Sequence, residues 1–152
     1  MRRMIGSAAF LVVAVASSAL AQVTPAAKQT GAPAKAASAV TWAALTGDWE
    51  GKAMRGTSDS VITTTTLTFT ADKKLYITYP NRDKVEAHNV VLAGDSLTYD
   101  AGPYDSIARP GHKVSTHNVI HVANHKMKGT FNAKFDDGQT MSGHSEAAHK
   151  LK

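Results

Sequence analysis

The chain contains no cysteine. Disulfides are therefore excluded, as is lipid attachment through a lipobox cysteine, and an exported form must be held together by packing alone. Tryptophan is scarce, with Trp42 and Trp49 the only two. Charge of one sign is lacking as well: 17 basic residues stand against 12 acidic ones, for a formal net charge of +5. Apart from Lys73-Lys74, the lysines are spread singly and form no stripe, which argues against a nucleic-acid partner. No apolar run reaches the roughly 20 residues of a stable membrane span, so no stable membrane anchor is expected. A Gly-x-Ser-x-Gly elbow, a phosphate-cradling glycine loop and a cofactor fingerprint are all missing. The sequence thus gives no catalytic residue and no cofactor, and an enzyme is not the expected class.

What is present begins at the N-terminus. Met1-Arg2-Arg3 precedes an apolar run from Ile5 to Val15, and Ala19-Leu20-Ala21 follows. A positive start, a short apolar core and an Ala-x-Ala end make a secretory signal peptide, residues 1–21, with cleavage after Ala21. The expected location is periplasmic or extracellular. Loss of Arg2 and Arg3 lowers the formal charge of +5 by two. Residues 22–40 are rich in Ala, Pro, Thr and Lys, and offer too little apolar area to offset ordering entropy. They read as a disordered linker, interrupted against helix by Pro25, Gly31 and Pro33. Residues 41–152 are long enough for one domain with a modest core.

Eight short alternating runs follow: about 47–54, 60–70, 74–80, 84–92, 96–104, 113–122, 125–135 and 139–149. In the seventh, Met127, Gly129, Phe131, Ala133 and Phe135 share one face while Lys126, Lys128 and Lys134 share the other. Period two with lysines outward is a half-buried antiparallel strand. Turn chemistry sets the registers. Ala123-Asn124 predicts a two-residue hairpin pairing Ile120 with Met127. Asp136-Asp137-Gly138 predicts a three-residue turn pairing Ala133 with Met141. Ala71-Asp72-Lys73 would pair Phe69 with Leu75, and Ala93-Gly94-Asp95 would pair Val91 with Leu97. Eight sequential hairpin-linked strands predict an all-β, eight-stranded antiparallel up-and-down barrel, with a two-sheet sandwich as the alternative.

The segment Leu45-Thr46-Gly47-Asp48-Trp49-Glu50-Gly51, at the start of the first strand, carries a Gly-x-Trp motif. With the strand count, it resembles the lipocalin and avidin-like (calycin) barrels. The resemblance implies that Trp49 packs across a closed barrel end. The further tryptophans of an avidin biotin site are absent, so biotin is not the expected ligand.

Bulky inward residues (Trp49, Leu67, Phe69, Leu75, Val91, Leu97, Ile120 and Met127) gather at that end and should plug it. The other inward positions, among them Thr63, Thr65, Ala87, Thr116, Gly129, Gly143 and Ser145, are small or polar. Small side chains in an eight-strand barrel either leave room for one ligand or simply pack. The ligand expected is a small hydrophobic or amphipathic molecule, with Tyr79, Asn89, Tyr99 and Asn118 as hydrogen-bonding candidates. Arg109, in the long loop 104–112, and Arg55 and Arg82 on neighbouring loops are candidates for an anionic group. Arg109 alternatively pairs with Asp105.

Seven histidines raise the question of a metal, above all His117, His121 and His125. On a strand, residues four apart are separated by about 13 Å, too far for shared coordination. His125 should point inward and the other two outward. His117 and His144 should share an outer row with Thr130 between them. No metal ligand is assigned. Asp136-Asp137 reads as turn chemistry. Two functional classes remain: a lipocalin-like binding protein for a small, partly apolar molecule, and a protein-binding module. The second includes a periplasmic protease inhibitor using the 22–40 arm; a structural envelope protein with a packed barrel is a further alternative.

Overall fold

Period-two alternation becomes alternating burial along the seventh strand, where Met127, Phe131, Ala133 and Phe135 are buried between exposed lysines. The computed structural model describes residues 39–150. The expected signal peptide, residues 1–21, and the expected linker up to residue 38 lie outside the described residues. A one-turn helix α1 (Trp42–Leu45) leads into β1 (Gly47–Arg55), β2 (Val61–Phe69), β3 (Leu75–Thr78) and β4 (Val85–Ala93). Then come β5 (Ser96–Asp105), β6 (Lys113–Ala123), β7 (Lys126–Phe135) and β8 (Thr140–His149). Each strand is antiparallel to its sequence neighbour, and β8 returns to β1 to close the barrel. The predicted fold class therefore holds, and the sandwich alternative does not. An eight-stranded antiparallel barrel is the general architecture of calycin-like proteins.

One end is plugged. Trp49, Phe69, Leu45, Leu75, Leu97 and Met127 are the largest fully buried side chains. The Trp49 indole donates to the Leu45 carbonyl at 2.8 Å, and Trp42 donates to the Thr70 carbonyl at 2.7 Å. Phe69 meets both indoles edge to face. The two bonds bind α1 over the barrel end, so Leu45 completes the plug. Thr41 starts this helix by accepting from the Ala44 amide, a local signal for α1 that strand periodicity does not reveal.

Two of the predicted turns hold. Phe69 pairs with Leu75, and Ala133 pairs with Met141 around Gly138, whose φ is +83°. The other two differ. The β6–β7 loop is Asn124-His125, with Ala123 opposite Lys126 and Ile120 opposite Gly129. A two-residue type I′ turn needs positive φ at both central positions, and Asn124 and His125 supply it at 50° and 58°. Alanine pays a steric penalty there, whereas Asn enters the left-handed region readily. The slip is two residues, so the faces are preserved. It nevertheless leaves His125 exposed in the turn, not inward. It also puts His144 in a row with Thr130 and Val119, while His117 faces Asn132.

The β4–β5 loop is Gly94-Asp95, with Val91 opposite Thr98. A bulge between His88 and Val91, with Asn89 at φ 52°, swaps the faces of β4. Val91 turns outward, 55% exposed, and the half-buried Leu92 packs on the core in its place.

The glycines read as open interior space are filled by their neighbours. A Cβ on Gly143 would meet the Phe131 ring at 2.5 Å and collide with the Met54 carbonyl, and one on Gly129 would meet the Ile120 side chain at 2.8 Å. Phe131 and Ile120 thus lie in glycine notches. Overpacking such a site costs about 1–3 kcal/mol. Gly143→Ala should lower the urea-unfolding free energy by that amount, while Ser142→Ala on the exposed face should change it by less than about 0.5 kcal/mol. Equal effects would show that the notch is not filled.

Candidate functional site

Above the plug, the inward residues line a cavity of about 90 Å³. Its wall is largely apolar, with Leu67, Ile77, Ile120, Met127, Phe131 and Phe135 contributing. The polar groups at its wall are Tyr79, Tyr99, Tyr104, Thr116 and Asn118, with Thr63, Thr65, Ser106, Ser145 and Glu146 also bordering it. Tyr79, Tyr99 and Asn118 were all expected from sequence. Tyr99 and Asn118 are directly opposite each other on β5 and β6, which places both at one level of the barrel.

The sequence puts Tyr104 at the junction of the fifth strand and the long loop, and a second bulge brings it inward. Between Ala101 and Tyr104 the β5–β6 register shifts around Gly102 and Pro103. Gly102 has φ +109° and lies so close to Val114 that a Cβ would meet its carbonyl at 2.5 Å. Gly-Pro inside a strand is the sequence signal for such a bulge. Tyr104 stacks on Tyr79 at 5.2 Å between ring centroids, and their hydroxyls are 2.7 Å apart. The pair fills a weak place in the wall. β3 ends at Thr78, short of the expected residue 80, and pairs with β4 only at Tyr76 and Ile77. Burial pushes all three tyrosine phenols upward, Tyr99 and Tyr79 most, so they stay neutral donors.

Loop residues 106–112 cover the remaining opening. Ile107 and Ala108 face the cavity, and Ser106 is buried. The Ser106 amide donates to the His112 carbonyl at 2.8 Å, and the Ser106 hydroxyl accepts from the Arg109 amide at 3.0 Å. Arg109 clasps Asp137 with both terminal nitrogens, at 3.1 and 2.8 Å, and lies over the Phe135 ring. His112 bonds Asp136 at 2.8 Å. The loop is latched to the β7–β8 turn.

Arg109 therefore pairs with Asp137, not with Asp105, which is bound to Lys113 at 2.6 Å. Arg82 donates to the Asp105 carbonyl at 2.7 Å, and Arg55 is exposed at the end of β1. None of the three arginines lines the cavity. Asn89 does not either: its bulge sets it on the outer wall, where its amide donates to Asp100 at 2.8 Å. His117 bonds the other oxygen of Asp100 at 2.6 Å, and His121 faces Asp95.

Among the described residues, one cluster has metal-ligand spacing, His112 with Asp136 and Asp137, whose ligand atoms lie within 4.8 Å of one another. The Arg109 guanidinium already sits on Asp137, where a cation would have to bind. The cluster is a latch. Among the described residues, no helix is long and apolar enough to cross a membrane.

Comparison with protein-family models, curated proteins and solved structures finds no match.

Hydrogen bonds from Arg109 and from the Lys113 amide hold the Asp137 and Asp136 carboxyls below their ordinary value of 3.8. A depressed folded-state pKa stabilises above the unfolded value and is lost as pH falls through the lowered one. The latch should therefore hold at neutral pH and loosen below pH 3.8. Asp137→Asn should loosen it at neutral pH. Amide exchange measured by NMR should quicken over 106–112 in that variant and leave the central strands unchanged. Identical exchange would mean that the ion pair does not hold the loop.

Proposed function

We propose that this chain is an exported, lipocalin-like binding protein that carries a small, largely apolar molecule inside its barrel. The observation that carries the reading is the cavity itself: an apolar wall, a few convergent hydroxyl and amide groups, one plugged end and one latched loop. Its free volume of about 90 Å³ limits the occupant. Pockets for drug-sized ligands hold ~300–1,000 Å³. Space of that size suits a group of a few heavy atoms, and a longer molecule needs the 106–112 loop displaced. Export through residues 1–21, with periplasmic or extracellular residence, belongs to the same proposal. So does kinship with the Gly-x-Trp barrels, supported by Trp49 lying across the plugged end.

One observation favours a second reading, a protein-binding module. Because β3 is short, residues 61–65 of β2 have no strand beside them on that side among the described residues, and a groove of about 1160 Å³ runs along Thr64, Thr65 and Thr66. The edge residues themselves are β-branched and uncharged, with Arg82, Asp83, Lys84 and Lys113 on the groove's other side, and an unpaired edge accepts an added strand. A protease-inhibitor arm at 22–40 would be a different route to the same class.

Native mass spectrometry of protein from an exporting host, followed by solvent extraction, separates the readings. A cavity binder should carry a reproducible small adduct, released by organic solvent, and keep it when residues 22–40 are deleted. A clean apo mass from every host, unchanged on addition of lipid extracts, overturns the cavity reading. An arm-based inhibitor should lose its protein partner with that deletion.

A further inference from the structure

Resting on the cavity reading, we propose that the site selects an uncharged molecule bearing one hydroxyl group, seated between Tyr99 and Asn118. The two residues are cross-strand partners, 5% and 8% exposed, and both line the cavity. Their hydrogen-bonding capacity is incompletely used. Tyr79 and Tyr104 satisfy each other, but the Tyr99 hydroxyl has no partner among the described residues. Asn118 donates to Thr116 at 3.1 Å, and its carboxamide oxygen accepts nothing from the described residues.

Every fully enclosed side-chain nitrogen or oxygen among the described residues does have a partner. The spare capacity of Tyr99 and Asn118 therefore opens into free space and not against protein. A donor phenol and an acceptor amide oxygen at one level of the barrel define the complementary group. A ligand hydroxyl accepts from Tyr99 and donates to Asn118, satisfying both with one atom.

Charge is excluded by the same geometry. Arg109 and Arg82 are engaged at the rim, and Arg55 lies exposed beyond it. Glu146, which borders the cavity, has its carboxylate on Lys52 at 3.0 Å. A buried carboxylate or ammonium ligand would find no counter-ion, and burying an unpaired charge is far costlier than burying a hydrogen-bonded hydroxyl. The rest of the ligand meets Ile77, Ile120, Met127 and Phe131.

The test uses three probes of equal chain length, 1-pentanol, pentanoate and n-pentane, titrated into the barrel with ¹³C-methyl-labelled methionine. Met127 and Met141 line the cavity and report occupancy. The expected result is saturable movement of both signals with 1-pentanol and none with pentanoate. Tyr99→Phe, checked for native fold by circular dichroism, should weaken 1-pentanol about three- to tenfold, the worth of one hydrogen bond, and leave n-pentane unchanged. Pentanoate binding as tightly as 1-pentanol, or wild-type affinity for 1-pentanol in Tyr99→Phe, overturns the inference and leaves the cavity reading standing. If none of the three probes moves either signal, the cavity reading falls with it.

Discussion

Closing the wall places the heaviest demand on β1, which must pair with β2 on one side and β8 on the other. The ladder from Trp49 opposite His149 to Arg55 opposite Gly143 joins the first strand to the last. No disulfide shares this task. Contacts this distant in sequence cost loop-closure entropy before they return any stabilisation, so closure succeeds only if both ladders are in register together. Close approach requires small residues. A Cβ on Gly51 would meet the Glu146 carbonyl at 2.5 Å, and Gly143 occupies the matching tight place from the β8 side. Trp49 stands on the same strand, so the residue that seals the barrel end is held in place by the ladders that close the wall.

That constraint also explains why the interior is smaller than its composition suggests. Glycines that admit a neighbouring strand also admit a neighbour's side chain, and Phe131 and Ile120 take the space. Bulges then redistribute the rest. The one in β4 turns Asn89 and Val91 out and brings Val90 and Leu92 onto the core. The one in β5 swings Tyr104 onto Tyr79, across the place where β3 is too short to complete the wall. What remains is a narrow space ringed by tyrosines, not a wide cup.

Strand number, order and most boundaries were legible because alternation and turn residues are local. Phe69 with Leu75 and Ala133 with Met141 followed from turn chemistry alone. The misplaced registers have a common origin. At Asn124-His125 and Gly94-Asp95, positive φ decides which two residues form the loop, and that preference outweighs the even spacing of apolar residues. The bulges had signals too, Asn89 for a left-handed residue and Gly102-Pro103 for a broken ladder. Each insertion reverses every later side chain on its strand, so one missed bulge misplaced both Asn89 and Val91. The Arg109–Asp137 pair was beyond local reading, since the partners are 28 residues apart and meet only when two loops converge.

The chemistry of the interior follows from how the wall is patched. A complete β3–β4 hairpin would bring backbone groups that satisfy one another in the ladder. Tyrosines patch the gap instead, and each carries a hydroxyl into an apolar space that cannot leave it unpaired without cost. Tyr79 and Tyr104 resolve this by bonding each other. Tyr99, on the same strand as Tyr104 and opposite Asn118, has no such partner among the described residues. The ion pairs cannot compensate, because those among the described residues lie on the outer face or the rim, where solvent weakens them. A barrel that patches its wall with a mutually bonded Tyr79–Tyr104 pair thus keeps, among the described residues, the Tyr99 hydroxyl and the Asn118 amide oxygen as spare hydrogen-bonding groups inside.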